Sequence, residues 1–395
     1  MKPNQQLPLP SEEAQQKSLS LQQKIRQMLK RHGMMPFPRF MEMALYTPGL
    51  GYYASGLPKI GQQGDFITAP EISPIFSRCL ARQAAQVLET LEKPNVIEFG
   101  AGKGTMAKDI LLELEAINQP IEHYYIVELS ADLRVRQQET LQALPEALFN
   151  KVVWLDQLPK DPLQGVILAN EVLDAMPVER LRLEEEQCLR GYVAYNEDKQ
   201  RFEWDYHPIT DSTLQKASNA ILKLIGTPPP SRGYETEINL NIHPWLQSLA
   251  DFLSQGAVLL IDYGYSRKEY YQPSRHMGSL RCHYQHRAHG DPFFYPGLQD
   301  ITAHVDFTSV AESGFDTGFK ISGYTTQAHF LMSSGLLEMS GDPTADITES
   351  LKIAQQIKTL TLPDEMGESF KVIALTKEVD LSLIGFKLRD LRHQL

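Results

Sequence analysis

The sequence predicts an α/β protein built around a parallel sheet. Between residues 94 and 170, short apolar runs alternate with amphipathic stretches of helical length, which is typical of βαβ units. A further apolar run at 256–264 resumes this pattern after a stretch of different character. Ligands of such sheets bind at the carboxyl ends of the strands, so we expect the functional residues there.

The chain before the sheet is predicted to hold one helix and one long loop. Residues 1–17 are polar and rich in Gln, and we expect them to be a flexible tail. A helix is predicted from Ser18 to Gly33, where Leu and Ile recur at helical spacing. Residues 40–70 are dense in Gly, Pro and aromatic side chains, which predicts an ordered loop that serves a functional site or, alternatively, a surface linker.

The elements of the α/β domain follow in order, and an insertion interrupts them. Strands are predicted at 95–99, 124–128, 151–155 and 165–169, and helices at 105–117 and 131–144. After residue 177, alternating runs at 178–183, 189–195 and 201–206 predict antiparallel strands. The predicted organisation is a tail (1–17), a helical and loop segment (18–93), the first half of the α/β domain (94–174), an inserted α+β substrate or partner subdomain (175–245) and the second half of the α/β domain (246–395).

The composition excludes several classes of protein. The chain has 395 residues and a net charge of -11, which disfavours nucleic acid as a partner. No apolar run is long enough to span a membrane, and the first residues lack the pattern of a secretory signal. Cys79, Cys188 and Cys282 lie far apart in the sequence, so we predict neither disulfides nor a paired-cysteine metal site, and we predict a cytoplasmic location.

A glycine-rich turn follows the first predicted strand of the sheet. Gly100, Gly102 and Gly104 alternate where strand gives way to helix, so a ligand can approach the backbone closely. The third glycine comes one residue too early for a dinucleotide fingerprint. Glu98, two residues before the first glycine, favours a cationic ligand over a pyrophosphate, and S-adenosyl-L-methionine is such a ligand.

Further polar residues end the neighbouring strands. Glu128 is placed to accept hydrogen bonds from both hydroxyls of a ribose, a feature that a nicotinamide enzyme would share. Asp156 is assigned to the adenine amino group, with a satisfied surface acid as the alternative. Asn170 is assigned to the cofactor site as well.

Two acidic residues after the fourth strand are the candidates for holding a substrate that accepts the methyl group of S-adenosyl-L-methionine. Glu171 and Asp174 would share one face if a helical turn began there, and two carboxylates can clamp a guanidinium. The alternatives are structural roles, in which Asp174 caps a helix and Glu171 pairs with Arg180. The Asn-Pro-Pro-aromatic motif of enzymes that methylate DNA or glutamine amino groups is absent, which disfavours that class.

A cluster of metal-binding residue types lies in a Gly- and Pro-rich segment. Cys282, His283, His286 and His289 fall within a short stretch, but arginines stand among them, so no metal is predicted and a loop that shapes a substrate or partner surface is favoured.

These motifs jointly resemble the MidA-like family of S-adenosylmethionine-dependent methyltransferases over about residues 38–378. The matching segments are GDFITAPE at 64–71, EFGAGKG at 98–104, NEVLD at 170–174, DYG at 262–264, DITAHVDF at 300–307 and LPDEMGESFK at 362–371. The resemblance implies the class I, Rossmann-like methyltransferase fold, with a mixed sheet and helices on both faces. It also implies that Gly64, Asp65 and Thr68 close over the cofactor and that Asp262 faces the acceptor.

The mitochondrial members of that family methylate arginine in a subunit of respiratory complex I. The resemblance therefore implies a protein arginine as the substrate, in a respiratory-complex subunit for those members. Three alternatives stay open at this point: transfer to a small molecule or to another protein residue, a non-catalytic assembly or binding factor, and a nicotinamide enzyme. A homodimer is also left open, because the sequence does not indicate an oligomeric state.

Overall fold

The computed structural model describes residues 7–55, 67–184, 187–225, 233–339 and 347–395. The helices are α1 (Glu12–His32), α2 (Phe37–Tyr46), α3 (Ala69–Ile72), α4 (Pro74–Leu88), α5 (Thr105–Ala116), α6 (Ala131–Leu141), α7 (Glu146–Phe149), α8 (Ser212–Ile225), α9 (Ile242–Phe252), α10 (Arg267–Tyr270), α11 (Phe307–Asp316), α12 (Gln327–Ser333), α13 (Leu336–Met339) and α14 (Ile347–Thr361). The strands are β1 (Met35–Pro36), β2 (Asn95–Phe99), β3 (Tyr124–Val127), β4 (Val152–Leu155), β5 (Leu163–Asn170), β6 (Glu179–Leu183), β7 (Cys188–Asn196), β8 (Arg201–Pro208), β9 (Tyr234–Ile238), β10 (Leu253–Tyr265), β11 (Arg281–Tyr284), β12 (Arg287–His289), β13 (Asp300–Thr302), β14 (Val305–Asp306), β15 (Lys320–Thr326) and β16 (Phe370–Lys377).

The described residues divide into two compact units. We call residues 67–173, 242–267 and 305–395 the parallel-sheet unit. The described residues of 1–66, 174–241 and 268–304 form the antiparallel unit.

The parallel-sheet unit contains a mixed sheet with strand order β15-β16-β10-β5-β2-β3-β4. The strands from β10 to β4 run parallel, while β16 is antiparallel to both of its neighbours. Strand β2 lies between β3 and β5, so the strand order reverses beside it. The predicted α/β fold with a mixed sheet is confirmed, and the carboxyl end of β2 is the place where such sheets bind ligands.

The central strands are apolar because helices cover both faces of a parallel sheet. Every residue of β2 is buried, and β5 and β10 are buried over most of their length. Side chains of α4 and α5 pack with these strands in one continuous apolar core. This packing fixes the register, so that Phe99 lies beside both Val127 and Ala169. The residues that follow these three positions are therefore neighbours at one edge of the sheet.

The antiparallel unit holds two sheets, with orders β1-β7-β6-β9 (β8 pairing with β7) and β12-β11-β13. Its core is formed by apolar residues of α1 and α2 together with Phe202, Cys282 and Ile301. In the first of these sheets, Arg180 on β6 pairs with Glu235 and Glu237 on the adjacent strand β9. Burial of this arginine is thus compensated by two carboxylates of the neighbouring strand.

The structure departs from the sequence predictions in several places. Helix α1 begins at Glu12, because the Ser11 side chain accepts a hydrogen bond from the backbone N–H of Ala14, so the flexible tail does not extend to residue 17. Residues 37–46, partly assigned to the long loop, are helical. Residues 268–304, assigned to the α/β domain, belong to the antiparallel unit.

Candidate functional site

The glycine turn joins β2 to α5 in a conformation that side chains disfavour. Gly100, Gly102 and Gly104 have φ values of 65°, 53° and 84°. A Cβ atom on Gly104 would lie 3.3 Å from the Cα atom of Gln137, and one on Gly100 would lie 3.1 Å from Val172 Cγ2. The turn therefore needs glycine both for its backbone angles and for the close approach of its neighbours.

Glu98 lies inside the fold beneath this turn. Its side chain is buried, and its Oε2 atom accepts a hydrogen bond of 2.6 Å from the Tyr124 hydroxyl. Burial raises the pKa of Glu98 to about 7, against the opposing effect of the Tyr124 hydrogen bond. The structure thus gives this predicted cofactor residue an internal partner on the adjacent strand.

Glu128 directly follows the last residue of β3. Its carboxylate accepts hydrogen bonds from the backbone N–H of Ser130 at 2.8 Å and from Gln137 Nε2 at 3.1 Å. The residue is buried, which raises the pKa of Glu128, while these two donors act in the opposite direction. A carboxylate has about four acceptor positions, so these donors leave room for ligand hydroxyls.

Gln137 is a site residue that the sequence analysis missed. It lies on α6, is fully buried, and donates from Nε2 to the Gly102 carbonyl oxygen at 3.0 Å as well as to Glu128. Its Oε1 atom accepts from Trp154 Nε1 at 3.0 Å. No sequence motif marks this glutamine; the only signal is its place on the helix that follows β3.

Asp156 is placed differently from the other strand-end acids. Its side chain is 86% exposed and pairs with Arg134 at 2.6 Å. Arg134 also donates to the carbonyl oxygens of Glu128 and Leu155, at 2.9 and 2.6 Å. This arginine joins the ends of β3 and β4, which matches the satisfied surface acid considered as the alternative for Asp156.

Asn170 ends β5 beside the glycine turn, and Glu171 directly follows it. The Asn170 side chain is buried, its Nδ2 donates to Glu171 Oε1 at 3.1 Å, and its Oδ1 receives no hydrogen bond from the residues that the structure describes. Glu171 is half-buried and has a φ of 54°, which is unusual for a residue other than glycine. Such strain is often found at functional sites.

Asp262 holds the backbone that follows Glu171. It lies on β10 and is buried, and its Oδ2 accepts the backbone N–H of Leu173 at 3.0 Å. The N–H of Glu171 donates to the carbonyl oxygen of Ile261 at 2.9 Å. Two consecutive residues of β10 therefore anchor the turn that carries the Glu171 carboxylate.

Asp174 belongs to the antiparallel unit. It is buried, and its carbonyl oxygen accepts the N–H of Ala303 at 3.0 Å. Residues 171–177 form bends and turns without a helix, so the predicted helical turn shared by Glu171 and Asp174 is wrong. The alternative partner considered for Glu171, Arg180, is paired with two other glutamates as described above.

The segment that resembles the family's loop is described only in part. Gly64 and Asp65 lie outside the described residues, whereas Thr68 directly precedes α3. Next to it, Glu71 accepts a hydrogen bond from the Thr105 hydroxyl and pairs with Lys103 at 3.4 Å. Glu71 ends the GDFITAPE motif, from which no role could be predicted for it, and the structure ties it to the glycine turn.

The Cys and His cluster forms a hairpin of the antiparallel unit. Cys282 pairs with His289 across β11 and β12, and His286 lies in the connecting turn. Burial raises the pKa of the Cys282 thiol and lowers the pKa of His283 and His289. Within the described ranges, no group of three or more His, Cys, Asp or Glu side chains is placed to hold a metal ion.

Comparison with known proteins decides between the chemistries that this edge of the sheet allows. Residues 79–325 match the family model described as "Putative S-adenosyl-L-methionine-dependent methyltransferase". The chain belongs to this methyltransferase family. The resemblance to the MidA-like family is thereby confirmed, and the nicotinamide alternative is excluded.

Solved structures agree with this assignment. A crystal structure of a protein from Burkholderia thailandensis bound to S-adenosyl-homocysteine has 39% sequence identity to this methyltransferase and a TM-score of 0.93. The match covers 99% of this chain and 100% of that chain. S-adenosyl-L-methionine is therefore the cofactor, and the predicted class I, Rossmann-like methyltransferase fold is confirmed.

Curated relatives are more distant. A Drosophila melanogaster protein named "Protein arginine methyltransferase NDUFAF7 homolog, mitochondrial" is 28% identical over an alignment of 409 positions that covers 95% of this chain and 89% of the relative. "Protein arginine methyltransferase NDUFAF7, mitochondrial" of Danio rerio is 26% identical over 87% of this chain and 83% of its own length. The predicted cytoplasmic location is wrong on this comparison, since both relatives are mitochondrial proteins.

Among the described helices, none is long and apolar enough to cross a membrane.

The residues at the sheet edge fit S-adenosyl-L-methionine. The glycine turn offers backbone that a Cβ atom would obstruct, as shown for Gly100 and Gly104. Asn170 Oδ1 is a buried acceptor suited to the donor hydrogens of an amino group. The Glu128 carboxylate is suited to ribose hydroxyls, and it is held in place by two donors.

Proposed function

We propose that this methyltransferase methylates a side-chain nitrogen of arginine in a protein. The observation that carries the proposal is the strained Glu171 directly after β5, a half-buried acid in a turn whose backbone is held by two contacts to β10. The curated relatives are named protein arginine methyltransferases, which supports the same acceptor. A respiratory-complex subunit, which the family resemblance suggested, is the first acceptor to test.

The chemistry asked of the protein is mostly positioning. S-adenosyl-L-methionine supplies an electrophilic methyl carbon when it is bound. In the proposed reaction, the Glu171 carboxylate accepts hydrogen bonds from the guanidinium and orients one of its nitrogens toward that carbon. This nitrogen forms the new N–C bond, the S–C bond breaks, and the nitrogen then loses a proton to water.

Asp262 acts in this proposal as a positioning residue. Its carboxylate holds the N–H of Leu173 and so keeps the turn at Glu171 in its strained form. The predicted support from Asp174 remains part of the proposal and is tested with Asp174→Asn. The predicted cofactor roles of Gly64, Asp65, Thr68 and Asp156 likewise remain predictions.

The test is transfer of labelled methyl groups from S-adenosyl-L-methionine in a cell extract that is separated into proteins and small molecules. We expect label in protein, recovered as methylarginine after acid hydrolysis. Glu171→Gln should lower transfer by a factor of about 10² or more while S-adenosyl-homocysteine affinity stays near that of the wild type. Exposed Glu139, changed to Gln in the same unit, is the matched control.

Two outcomes would overturn the proposal. Label in small molecules, or in another amino acid, would assign a different acceptor to the same cofactor site. Binding of S-adenosyl-homocysteine without any transfer would favour the non-catalytic binding factor.

The oligomeric state, for which a homodimer was left open, can be measured in parallel by light scattering.

A further inference from the structure

Gln137 joins three parts of the cofactor edge that the sequence keeps apart. Its side chain contacts the glycine turn at Gly102, the acid after β3 at Glu128, and β4 at Trp154. All three distances lie between 3.0 and 3.1 Å, within the normal range of hydrogen bonds. The residue is fully buried, so water does not compete for these bonds.

The donors and acceptors around Gln137 permit only one orientation of its amide group. The Trp154 indole N–H can only donate, so it must face the amide oxygen. The Gly102 carbonyl and the ionised Glu128 carboxylate can only accept, so they must face the two N–H donors. Trp154 thereby fixes the amide in the orientation that serves the glycine turn and Glu128.

We infer that Gln137 is a positioning residue for the cofactor, which holds the Glu128 carboxylate in place for the ribose hydroxyls and ties it to the glycine turn. The inference rests on the proposed role of Glu128 but not on the identity of the methyl acceptor. A buried carboxylate that lost this donor would be free to rotate or to take up a proton. The cofactor would then meet an acid that is less well oriented and less often ionised.

The experiment measures the affinity of the full chain for S-adenosyl-homocysteine and for its 2′,3′-dideoxy analogue, which lacks the ribose hydroxyls. Gln137→Met keeps the size of the side chain and removes both donors. We expect Gln137→Met to weaken S-adenosyl-homocysteine binding about tenfold. The loss of affinity for the analogue should be smaller than this loss by a factor of at least about three. Thermal unfolding of each variant is recorded alongside.

Three companion variants make the result decisive. Gln137→Glu keeps an acceptor for Trp154 and replaces the two amide N–H donors by an acid that competes with Glu128 for charge, so it should reproduce the loss even if Gln137→Met folds poorly. Gln138→Met is the same exchange on the exposed neighbouring residue of α6, and it should bind both ligands as the wild type does. Glu128→Gln should weaken binding of S-adenosyl-homocysteine more than binding of the analogue.

Each remaining outcome overturns the inference. Equal losses for both ligands in Gln137→Met and Gln137→Glu would show that Gln137 is only structural. Unchanged affinity for S-adenosyl-homocysteine in both variants would show that its hydrogen bonds do not serve the cofactor. If Glu128→Gln affects both ligands equally, the premise about the ribose hydroxyls is wrong and the inference falls with it. None of these results depends on finding the methyl acceptor.

Discussion

Glu98 offers a test of the electrostatics beneath the glycine turn. The side chain is buried on β2 and accepts a hydrogen bond from Tyr124, and burial raises its pKa from the usual 4.5 to about 7. The perturbation is Glu98→Gln, which keeps an oxygen that accepts from Tyr124 but cannot ionise. The variant and the wild type should therefore differ in how their stability depends on pH.

The sign and size of the difference follow from proton linkage. Between about pH 4.5 and pH 7, folded Glu98 keeps a proton that the unfolded chain releases, so raising the pH weakens folding. The loss is absent below about pH 4.5 and complete above about pH 7. At 1.36 kcal/mol for each pKa unit, the full loss is about 3 kcal/mol. Glu98→Gln lacks this loss.

The assay is urea unfolding, followed by tryptophan fluorescence, at several pH values from about 4.5 to 8. Trp245 is a suitable probe, because its ring lies 5.5 Å from that of Phe99, the next residue after Glu98. The free energy of unfolding of Glu98→Gln minus that of the wild type should rise by about 3 kcal/mol across this range. The exposed Glu139→Gln should show no such rise.

A flat difference for Glu98→Gln would refute the reasoning. It would mean that Glu98 is ionised to the same extent in the folded and unfolded chains, so that burial does not govern its charge. A difference that falls with pH would show that the folded protein stabilises the carboxylate. Either result would restore Glu98 as a fixed negative charge beneath the glycine turn.

Three further predictions concern the supports of the site. Gly104→Ala forces a side chain into a left-handed conformation, so we expect a loss of about 1–2 kcal/mol of stability with weaker S-adenosyl-homocysteine binding, measured by thermal unfolding and calorimetry; unchanged values would contradict it. Thr105→Val should cost about 1 kcal/mol and Glu71→Ala at least as much, because the latter also removes the ion pair with Lys103, and the double variant should cost no more than Glu71→Ala alone, because both changes remove the same hydrogen bond; additive losses would argue against that bond. Asp262→Asn weakens the contact to Leu173 and should lower kcat about tenfold with little change in S-adenosyl-homocysteine affinity, whereas an equal effect on both would place Asp262 at the cofactor.

The strand ends of the site could be predicted from the sequence because burial leaves a strong local signal. The first central strand was predicted at 95–99, and β2 spans Asn95–Phe99. Its apolar run is bounded by Pro94 and by the glycine turn, so both ends are marked. Parallel pairing then brings the residues after each strand to the same edge, which placed Glu128 and Asn170 beside the turn without knowledge of their contacts.

The supporting contacts could not be predicted, because their partners are distant in sequence and their residue types are common on helix surfaces. Gln137 reaches Gly102 across 35 positions, and Glu71 reaches Thr105 across 34. A buried glutamine on α6 looks in the sequence like any polar helical residue. Only the packing of α6 against the turn shows that its amide is enclosed by complementary partners.

The reassignment of residues 268–304 has a similar cause. After β10 and residues 266–267, the chain enters the antiparallel unit for residues 268–304. It then rejoins the parallel-sheet unit at β14, which pairs with β10. Their short strands carry no long apolar run, so local patterning did not separate them from the α/β domain. The pairing of β11 with β13 skips over β12 in the chain, and a single sequence gives no direct signal of it.

Glu171 shows why the spacing of two acids misled the prediction of a helical turn. Its N–H continues the β5 ladder by donating to Ile261, so the chain must turn after that bond is made, and it does so with a φ of 54° at Glu171 itself. Within a helix or strand, a protein with alanine is more stable than one with glycine by about 0.5–1 kcal/mol. In the left-handed conformation of Glu171, by contrast, a side chain costs about 1–2 kcal/mol of stability. Glu171→Gly should therefore be more stable than Glu171→Ala by about 1 kcal/mol in thermal or urea unfolding, while both variants lose methyl transfer. If alanine proves the more stable, the turn is not strained, and the carboxylate must owe its placement to the contacts of its side chain alone.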